Sequence, residues 1–495
     1  MDEIMDYNEA ISKYDVTFGV EVHVELNTKT KVFCPAEVTF GAEPNSQTTP
    51  VSLGLPGSLP VLNEKVLESA IKIGLALNCS INEVSYFARK NYFYPDLTKN
   101  YQISQAAYPT VGEGHLDLNL ENGKEFTVKI ERAHIEEDAG KSNHIGGTGR
   151  IQGASYSLID YNRAGVPLVE IVTHPNLATD GDAPQIIAQY VKELRDIFKA
   201  LDISDARMER GNVRADINVS LSEKDSGELG TRTETKNLNS FRSIEKAAEY
   251  EICRQAAVLE SGKTITQETR HWHEDTLSTS AGRIKSDADD YRYFPEPDLP
   301  PVVTTKEQVD KIKVSMPELP AEKRARLEAA WGFDNKSFAD IVNASALDLI
   351  EEAVKAGAKP ETGRKWYMGE LSRWAKENQT ELSSLKVTPN DIAFIEKCES
   401  SGKINDKIAR TILQKVLNGE GSFESVLQKE NLEIVQDSGV LEKAVDDALE
   451  QNPDILEKLK SGNMAPMGVI IGQVMKATSG QADAKAVTEI IRGRL

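Results

Sequence analysis

An α+β fold is predicted, a strand-rich mixed domain followed by two all-α modules, and three observations predict it. Residues from about 15 to 295 hold short alternating apolar and polar segments broken by Gly-Pro turns and Asn. The stretch DADDYRYFPEPDLPPV, residues 287–302, sets four prolines among aromatic and acidic residues, and so many missing N–H donors extend neither a helix nor a central strand. Beyond about residue 318 the apolar residues recur at helical spacing between caps and stops. The boundaries that follow are 1–295, 296–385 and 386–495, with the proline-rich stretch as an extended connection out of the first domain.

The elements follow in order. In FGVEVHVEL, Glu21, His23 and Glu25 share one face of a strand, while Val20, Val22, Val24 and Leu26 share the other. The run FARKNYFYPDLTKNYQISQ interleaves Arg89, Lys90 and Lys99 with Tyr92, Phe93, Tyr94 and Tyr101. Such a mixture either clamps phosphate and stacks a base or fills the core beneath a loop, and the residues alone leave both open. A helix starts at Asp182 with Pro184 just inside it and carries Ile187, Tyr190, Val191, Leu194, Phe198 and Leu201 on one side. VRADINVS opposes Arg214, Asp216, Asn218 and Ser220 to apolar neighbours, and TRTETKNLNS groups Arg232, Glu234 and Lys236. A second helix is expected from about Ser240 to Gly262. In the helical half, Thr388-Pro389 marks a start, while Gly402 and Asn418-Gly419 mark stops. The last helices carry Gly468 and Gly472, then Lys476, Arg492 and Arg494.

The 495 residues exceed a single core, and 39% hydrophobic with 27% charged content is ordinary for a globular chain. With 58 basic against 78 acidic residues the net charge is −20, so any nucleic acid must meet a local basic surface. Cys34, Cys79, Cys253 and Cys398 lie far apart, as reduced thiols do. The acidic start MDEIMDYNEAISKYD reads as neither signal nor transit peptide, and no apolar run nears the roughly 20 residues of a membrane span. A cytoplasmic protein with no membrane partner is expected. Phosphate loops are excluded, because Gly140-Lys141-Ser142 and Gly262-Lys263-Thr264 have Ile135 and Ala257 where the first glycine belongs. His273-Glu274 lacks the second histidine of a zinc protease.

What remains is an acidic set with one imidazole: Glu21, His23 and Glu25 on a strand, and Glu136, Glu137 and Asp138 in HIEEDAGKS. Crowded carboxylates repel unless a cation compensates them, and hard oxygen donors suit Mg²⁺ or Mn²⁺. The alternative is a solvated strand edge with an acidic turn elsewhere, since spacing alone does not bring residues 21 and 137 together.

GVEVHVELNTKTKVFC, FGAEPNS, LGLPGSLPVLN, RKNYFYPD, YQISQ, HIEEDAGKS, YNRAGVPLVEIV, TKNLNSF, QETRHWHED and DYRYFPEPD, in that order, resemble the B-subunit family of the aspartyl/glutamyl-tRNA amidotransferases. The tail from TPNDIAFIEKCESSGKINDKIAR to GQVMKATSGQA resembles the same family's C-terminal module. The resemblance implies a catalytic cradle domain, a helical connector and a tail that contacts tRNA. It implies a reaction in which ATP and Mg²⁺ activate the side-chain carboxylate of Glu-tRNA(Gln) or Asp-tRNA(Asn) for amidation by ammonia. Carried over by position, Glu21, His23, Glu136 and Glu137 are the expected metal ligands, and Glu137 with Lys90 the catalytic pair. Lys90, Asn91, Tyr92, Asp216 and Lys236 are expected to bind the cofactor, with Asn218 beside them. The chain has neither an amidase-type Ser-rich nucleophile segment nor an N-terminal Cys, so the family reading adds an amidase-type A subunit and a small C subunit in a heterotrimer. Two departures stand out. Where some relatives hold zinc with four cysteines, this chain has Cys34, Ala36, Thr49 and Ser52, so no structural zinc is expected. Arg210 stands where relatives often have an acidic or polar residue. The acidic set alone also permits a metal-dependent phosphohydrolase, and the helical tail a non-catalytic RNA-binding scaffold.

Overall fold

The structure is a computed structural model and describes residues 4–105, 107–120, 122–146, 153–284, 291–430, 432–434, 438–478 and 482–495. The chain forms two compact units, residues 1–325 and 326–495. The first is mixed and strand-rich and the second is a run of helices, as an α+β chain requires.

The strands of the first unit are β1 (Tyr14–Glu25), β2 (Val84–Ser85), β3 (Ala88–Asn91), β4 (Tyr101–Ser104), β5 (Gly114–Asn119), β6 (Glu125–Glu137), β7 (Lys141–Ile145) and β8 (Tyr156–Asp160). They continue with β9 (Pro167–Thr173), β10 (Asn176–Ala178), β11 (Val213–Glu223), β12 (Thr233–Leu238), β13 (Glu268–His273), β14 (Ser278–Ile284), β15 (Phe294–Pro295) and β16 (Val302–Val303). The main sheet runs β14-β13-β12-β11-β1-β9-β6-β5, with β10 also on β1. β1 lies antiparallel to both β9 and β11, at its centre.

Alternation along β1 buries Val16, Phe18, Val20, Val22 and Val24 and turns Glu21, His23 and Glu25 to the other side. The long helices Ala183–Ala200 and Phe241–Glu260 share the apolar core with these valines. Pro184 sits in the first turn of the former, whose Ile187, Tyr190, Val191, Leu194 and Phe198 are fully buried. Each such side chain contributes roughly 1.5–3 kcal/mol relative to exposure. Ser240 caps the latter helix, its Oγ accepting from Ser243 N at 3.0 Å. With helices on the apolar side, the polar side of the central strands is left for chemistry.

The segment expected to leave the first domain returns to it instead. Phe294-Pro295 pairs with Ala88-Arg89, and Val302-Val303 with Val84-Ser85, so the prolines lie beside short outer strands where a missing donor is tolerated. Arg89 binds Glu296 through Nε at 2.8 Å and Nη2 at 2.9 Å, and Leu299, Val302, Met316 and Leu319 pack on the first core. Arg324 bonds both oxygens of Glu193 at 2.6 and 2.7 Å. The first unit therefore ends at residue 325 rather than 295.

In the second unit Thr388 and Asp391 form a capping box around Pro389, and Gly402 and Gly419 end helices at φ +71° and +89°, where a side chain is strained. The expected border at 385/386 crosses a shared core, because Ile350, Trp366 and Tyr367 are buried in one cluster with Ile392, Ile395, Ile412 and Phe423. A separate cluster of Leu441, Val445, Ile470, Val474, Val487 and Ile491 follows. Among the described residues no helix is long and apolar enough to cross a membrane.

Candidate functional site

Register decides which polar residues meet. His134 lies opposite Glu170 on β9, Glu170 opposite His23 on β1, and His23 opposite Arg214 on β11, a row across four strands. The next row sets Glu21 opposite Asp216, and Asn218 pairs with Glu234 on β12. Among the described residues two groups of donors result. In one, His23, Glu136 and Glu170 each offer an atom within 4.8 Å of the others, and in the second Glu21, Asp216 and Glu234 do the same.

The first group is the more buried. Glu136 and His134 are buried, and His134 Nε2 stands 3.2 Å from Glu136 Oε1 and 3.0 Å from Glu170 Oε2. His23 Nε2 lies 3.8 Å from Glu170 Oε2. Burial opposes ionising Glu136, yet its bond to His134 and the charges of Lys90 and His23 hold its carboxyl well below the usual range. Glu170 is held low by His134 and His23 against burial and the repulsion of Glu136. Burial would also lower Lys90, but the charges of Glu136 and Glu170 outweigh it and keep the ammonium firmly protonated. An imidazole with two ionised carboxylates is a donor set that suits a small hard divalent ion, whose remaining positions stay with water or phosphate.

In the second group Lys236 Nζ lies 2.5 Å from Asp216 Oδ2 and 3.5 Å from Glu234 Oε1, and these anions raise its pKa against burial. Asn218 Nδ2 donates to Glu21 Oε1 at 3.2 Å, while its Oδ1 is buried without a partner among the described residues. Thr269 Oγ1 donates to Glu234 Oε2 at 2.8 Å and fixes that carboxylate.

The structure thus separates residues expected to share one ion. Glu21 falls in a different group from His23, two residues along the same strand face. Glu137, expected as metal ligand and catalytic carboxylate, is absent from both groups: it pairs with Lys99 and accepts from Ile103 N at 2.9 Å. Successive strand residues point to opposite sides, so Glu136 and Glu137 cannot both face His23. Glu25 lies apart as well, bonded by Asn212 Nδ2 at 3.0 Å, with burial and Asp138 raising its pKa to about 7.

The aromatic loop divides similarly. Lys90 faces the carboxylates with its ammonium 5.1 Å from the centre of the Tyr291 ring. Asn91, expected to hold a cofactor, donates through Nδ2 to the carbonyls of Tyr291 and Arg292 at 3.3 and 2.8 Å. Tyr92 packs edge-on against Tyr94 and Tyr291. Arg210 stacks 5.3 Å over the exposed Phe40 ring. At the positions of the zinc comparison, Cys34 is buried and Ser52 Oγ accepts from Thr49 N at 2.8 Å.

Sequence reasoning missed Glu170, Glu234 and His134. Glu170 had a signal, a lone charge inside the apolar run PLVEIV. Glu234 shares its strand face with Lys236, and His134 precedes Glu136 by one strand period.

Comparison with known proteins bears on this arrangement. Residues 16–310 match the family model described as the GatB/GatE catalytic domain, and residues 348–495 the one described as the GatB domain. A protein of Bifidobacterium longum named as the B subunit of aspartyl/glutamyl-tRNA(Asn/Gln) amidotransferase is 59% identical over 495 residues, covering 100% of this chain and 99% of its own. Proteins of the same name from Bifidobacterium animalis subsp. lactis and a Nocardioides species are 55% and 53% identical, covering 100% and 99% of this chain and 99% of their own.

Proposed function

Because this chain belongs to the GatB/GatE family, we propose that it is the B subunit of an aspartyl/glutamyl-tRNA amidotransferase and carries the step that activates the aminoacyl carboxylate. A carboxylate resists a nitrogen nucleophile because oxide leaves poorly. Transfer of the terminal phosphoryl of ATP to the side-chain carboxylate of Glu-tRNA(Gln) or Asp-tRNA(Asn) gives an acyl phosphate and ADP. Ammonia then attacks the acyl carbon, phosphate leaves with the C–O electron pair, and a proton is lost from nitrogen.

The observation that carries this reading is the convergence of His23, Glu136 and Glu170 within 4.8 Å, with Lys90 facing the two carboxylates. In this reading these three residues hold Mg²⁺, whose chemistry is to neutralise charge on the transferred phosphoryl, a transfer catalysed mainly by positioning and charge. Lys90 supplies a positive charge beside the two carboxylates. Asp216, Asn218 and Lys236, with Glu21 and Glu234, form the neighbouring polar group that receives the nucleotide. The ammonia comes from glutamine on an amidase-type A subunit, with a small C subunit completing a heterotrimer, and the helical tail contacts the tRNA.

The experiment is one incubation of the reconstituted complex with Glu-tRNA(Gln), glutamine, ATP and Mg²⁺. Gln-tRNA(Gln) is expected with the parent chain and is lost with Glu170→Gln, which removes the charge of one ligand. Phosphate release without tRNA and without amide would favour a phosphohydrolase. Amide formation undiminished in Glu170→Gln would remove the metal assignment.

A further inference from the structure

We infer that strand β4 is the positioning element of the metal centre: Gln102 and Ser104 present Glu136 to the ion, while Ile103 draws Glu137 away. The inference rests on the reading that His23, Glu136 and Glu170 bind a divalent cation. Ser104 Oγ donates to Glu136 Oε1 at 2.7 Å, and Gln102 Nε2 donates to Glu136 Oε2 at 3.1 Å. The same amide donates to the carbonyl of Glu137 at 2.8 Å, and between the two side chains Ile103 N donates to Glu137 Oε1 at 2.9 Å. Gln102, Ser104 and Glu136 are 7%, 2% and 3% exposed, so water does not substitute for these donors.

The alternation of one strand therefore sorts the two adjacent carboxylates of the other. Gln102 and Ser104, two residues apart on β4, reach Glu136, and the backbone between them takes Glu137. Counting lone pairs identifies the liganding oxygen. Each carboxylate oxygen accepts about two hydrogen bonds. Oε1 faces both Ser104 Oγ and His134 Nε2, at 2.7 and 3.2 Å, whereas Oε2 takes Gln102 alone among the described residues. Oε2 is thus the oxygen with a lone pair to offer. Lys90 lies opposite Gln102 in the β3–β4 ladder, so the same hairpin that aims the ligand also sets the charge beside it. The proposed ligands His23, Glu136 and Glu170 lie on β1, β6 and β9, and β4 contributes none of them. Its role is orientation, the kind of outer contact whose loss typically weakens metal affinity about 10- to 100-fold.

The test titrates the full-length chain with Mn²⁺, following free ion by electron paramagnetic resonance, and follows folding by circular dichroism melting. Ser104→Ala and Gln102→Met are expected to weaken Mn²⁺ binding by roughly 10-fold or more. Ser104→Thr, which keeps the hydroxyl, restores it, and circular dichroism checks that Ser104→Ala is fully folded at the titration temperature. His23→Ala serves as the reference and is expected to abolish binding. If His23→Ala abolishes binding while Ser104→Ala and Gln102→Met bind like the parent, the role of β4 is overturned and the metal centre stands. If His23→Ala itself binds like the parent, the metal reading falls and this inference with it. Should Gln102→Met fail to fold, Ser104→Ala alone decides, because it removes one oxygen and leaves the ladder intact.

Discussion

Replacing Glu137 with glutamine distinguishes a structural ion pair from a metal ligand. Glutamine keeps an oxygen to accept from Ile103 N but leaves the Lys99 ammonium without its counter-charge. The two side chains are only 10% and 7% exposed, so the loss is that of breaking a buried pair, about 3–5 kcal/mol. The Tyr101 ring, 5.5 Å from the Lys99 ammonium, compensates only weakly. For a unit of 325 residues, an unfolding entropy of about 2.1 cal/mol/K per residue amounts to roughly 0.7 kcal/mol/K. The melting transition of the first unit should therefore fall by about 4–7 °C in Glu137→Gln. Lys99→Met with Glu137→Gln should recover most of the loss, because removing both buried charges costs little. Mn²⁺ affinity should stay that of the parent in both. Calorimetric melting with a parallel Mn²⁺ titration reads both quantities on one sample. A Glu137→Gln chain that melts like the parent but no longer binds Mn²⁺ would refute the separation of Glu136 from Glu137.

Two further outcomes follow from other parts of the chain. Lys31 is fully buried, its Nζ donates to the Tyr161 carbonyl at 3.1 Å, and burial pushes its pKa down from 10.5 to about 8. Between those values the unfolded chain holds the proton that the folded chain releases. This group's contribution to stability therefore rises with pH, by up to about 1.4 kcal/mol per unit. Urea unfolding from pH 7 to 10.5 should show that rise in the parent and not in Lys31→Met, which is also the more stable of the two at pH 7; identical profiles would contradict it. In the tail, Arg494 is tied to Glu442 and Asp446, whereas Lys476 and Arg492 are exposed near helix ends. Charge reversal at either should weaken tRNA binding and lower the slope of log affinity against log salt by about one, and an unchanged slope would move the contact elsewhere.

How much of the site the sequence disclosed depends on the range of the rule applied. Alternation in FGVEVHVEL and VRADINVS is a local property, so the polar faces with Glu21, His23, Asp216 and Asn218 are legible before any pairing is known. The same rule, applied to HIEEDAGKS, already forbids Glu136 and Glu137 from sharing a side if β6 stays regular to its end. That consequence is easily lost when two carboxylates are read as one motif. Glu170 was hidden for a different reason: a single glutamate in PLVEIV comes within reach of His23 and Glu136 only when β9 pairs with β1 and β6 at one register. Glu234 and Thr269 meet across a parallel pair of strands, which no local pattern indicates.

By itself the sequence determined the α+β order, the helix caps, the polar strand faces and the family, because periodicity, capping and motif strings are short-range. Tertiary structure alone decided that the chain from Phe294 onward folds back on the first unit, that Glu21 and His23 fall in separate groups, and that Glu137 pairs with Lys99. These outcomes are set by which strands pair and in what register. A shift of one residue sends every side chain to the opposite face, and β1 lies more than a hundred residues from both of its partners β9 and β11 in the chain.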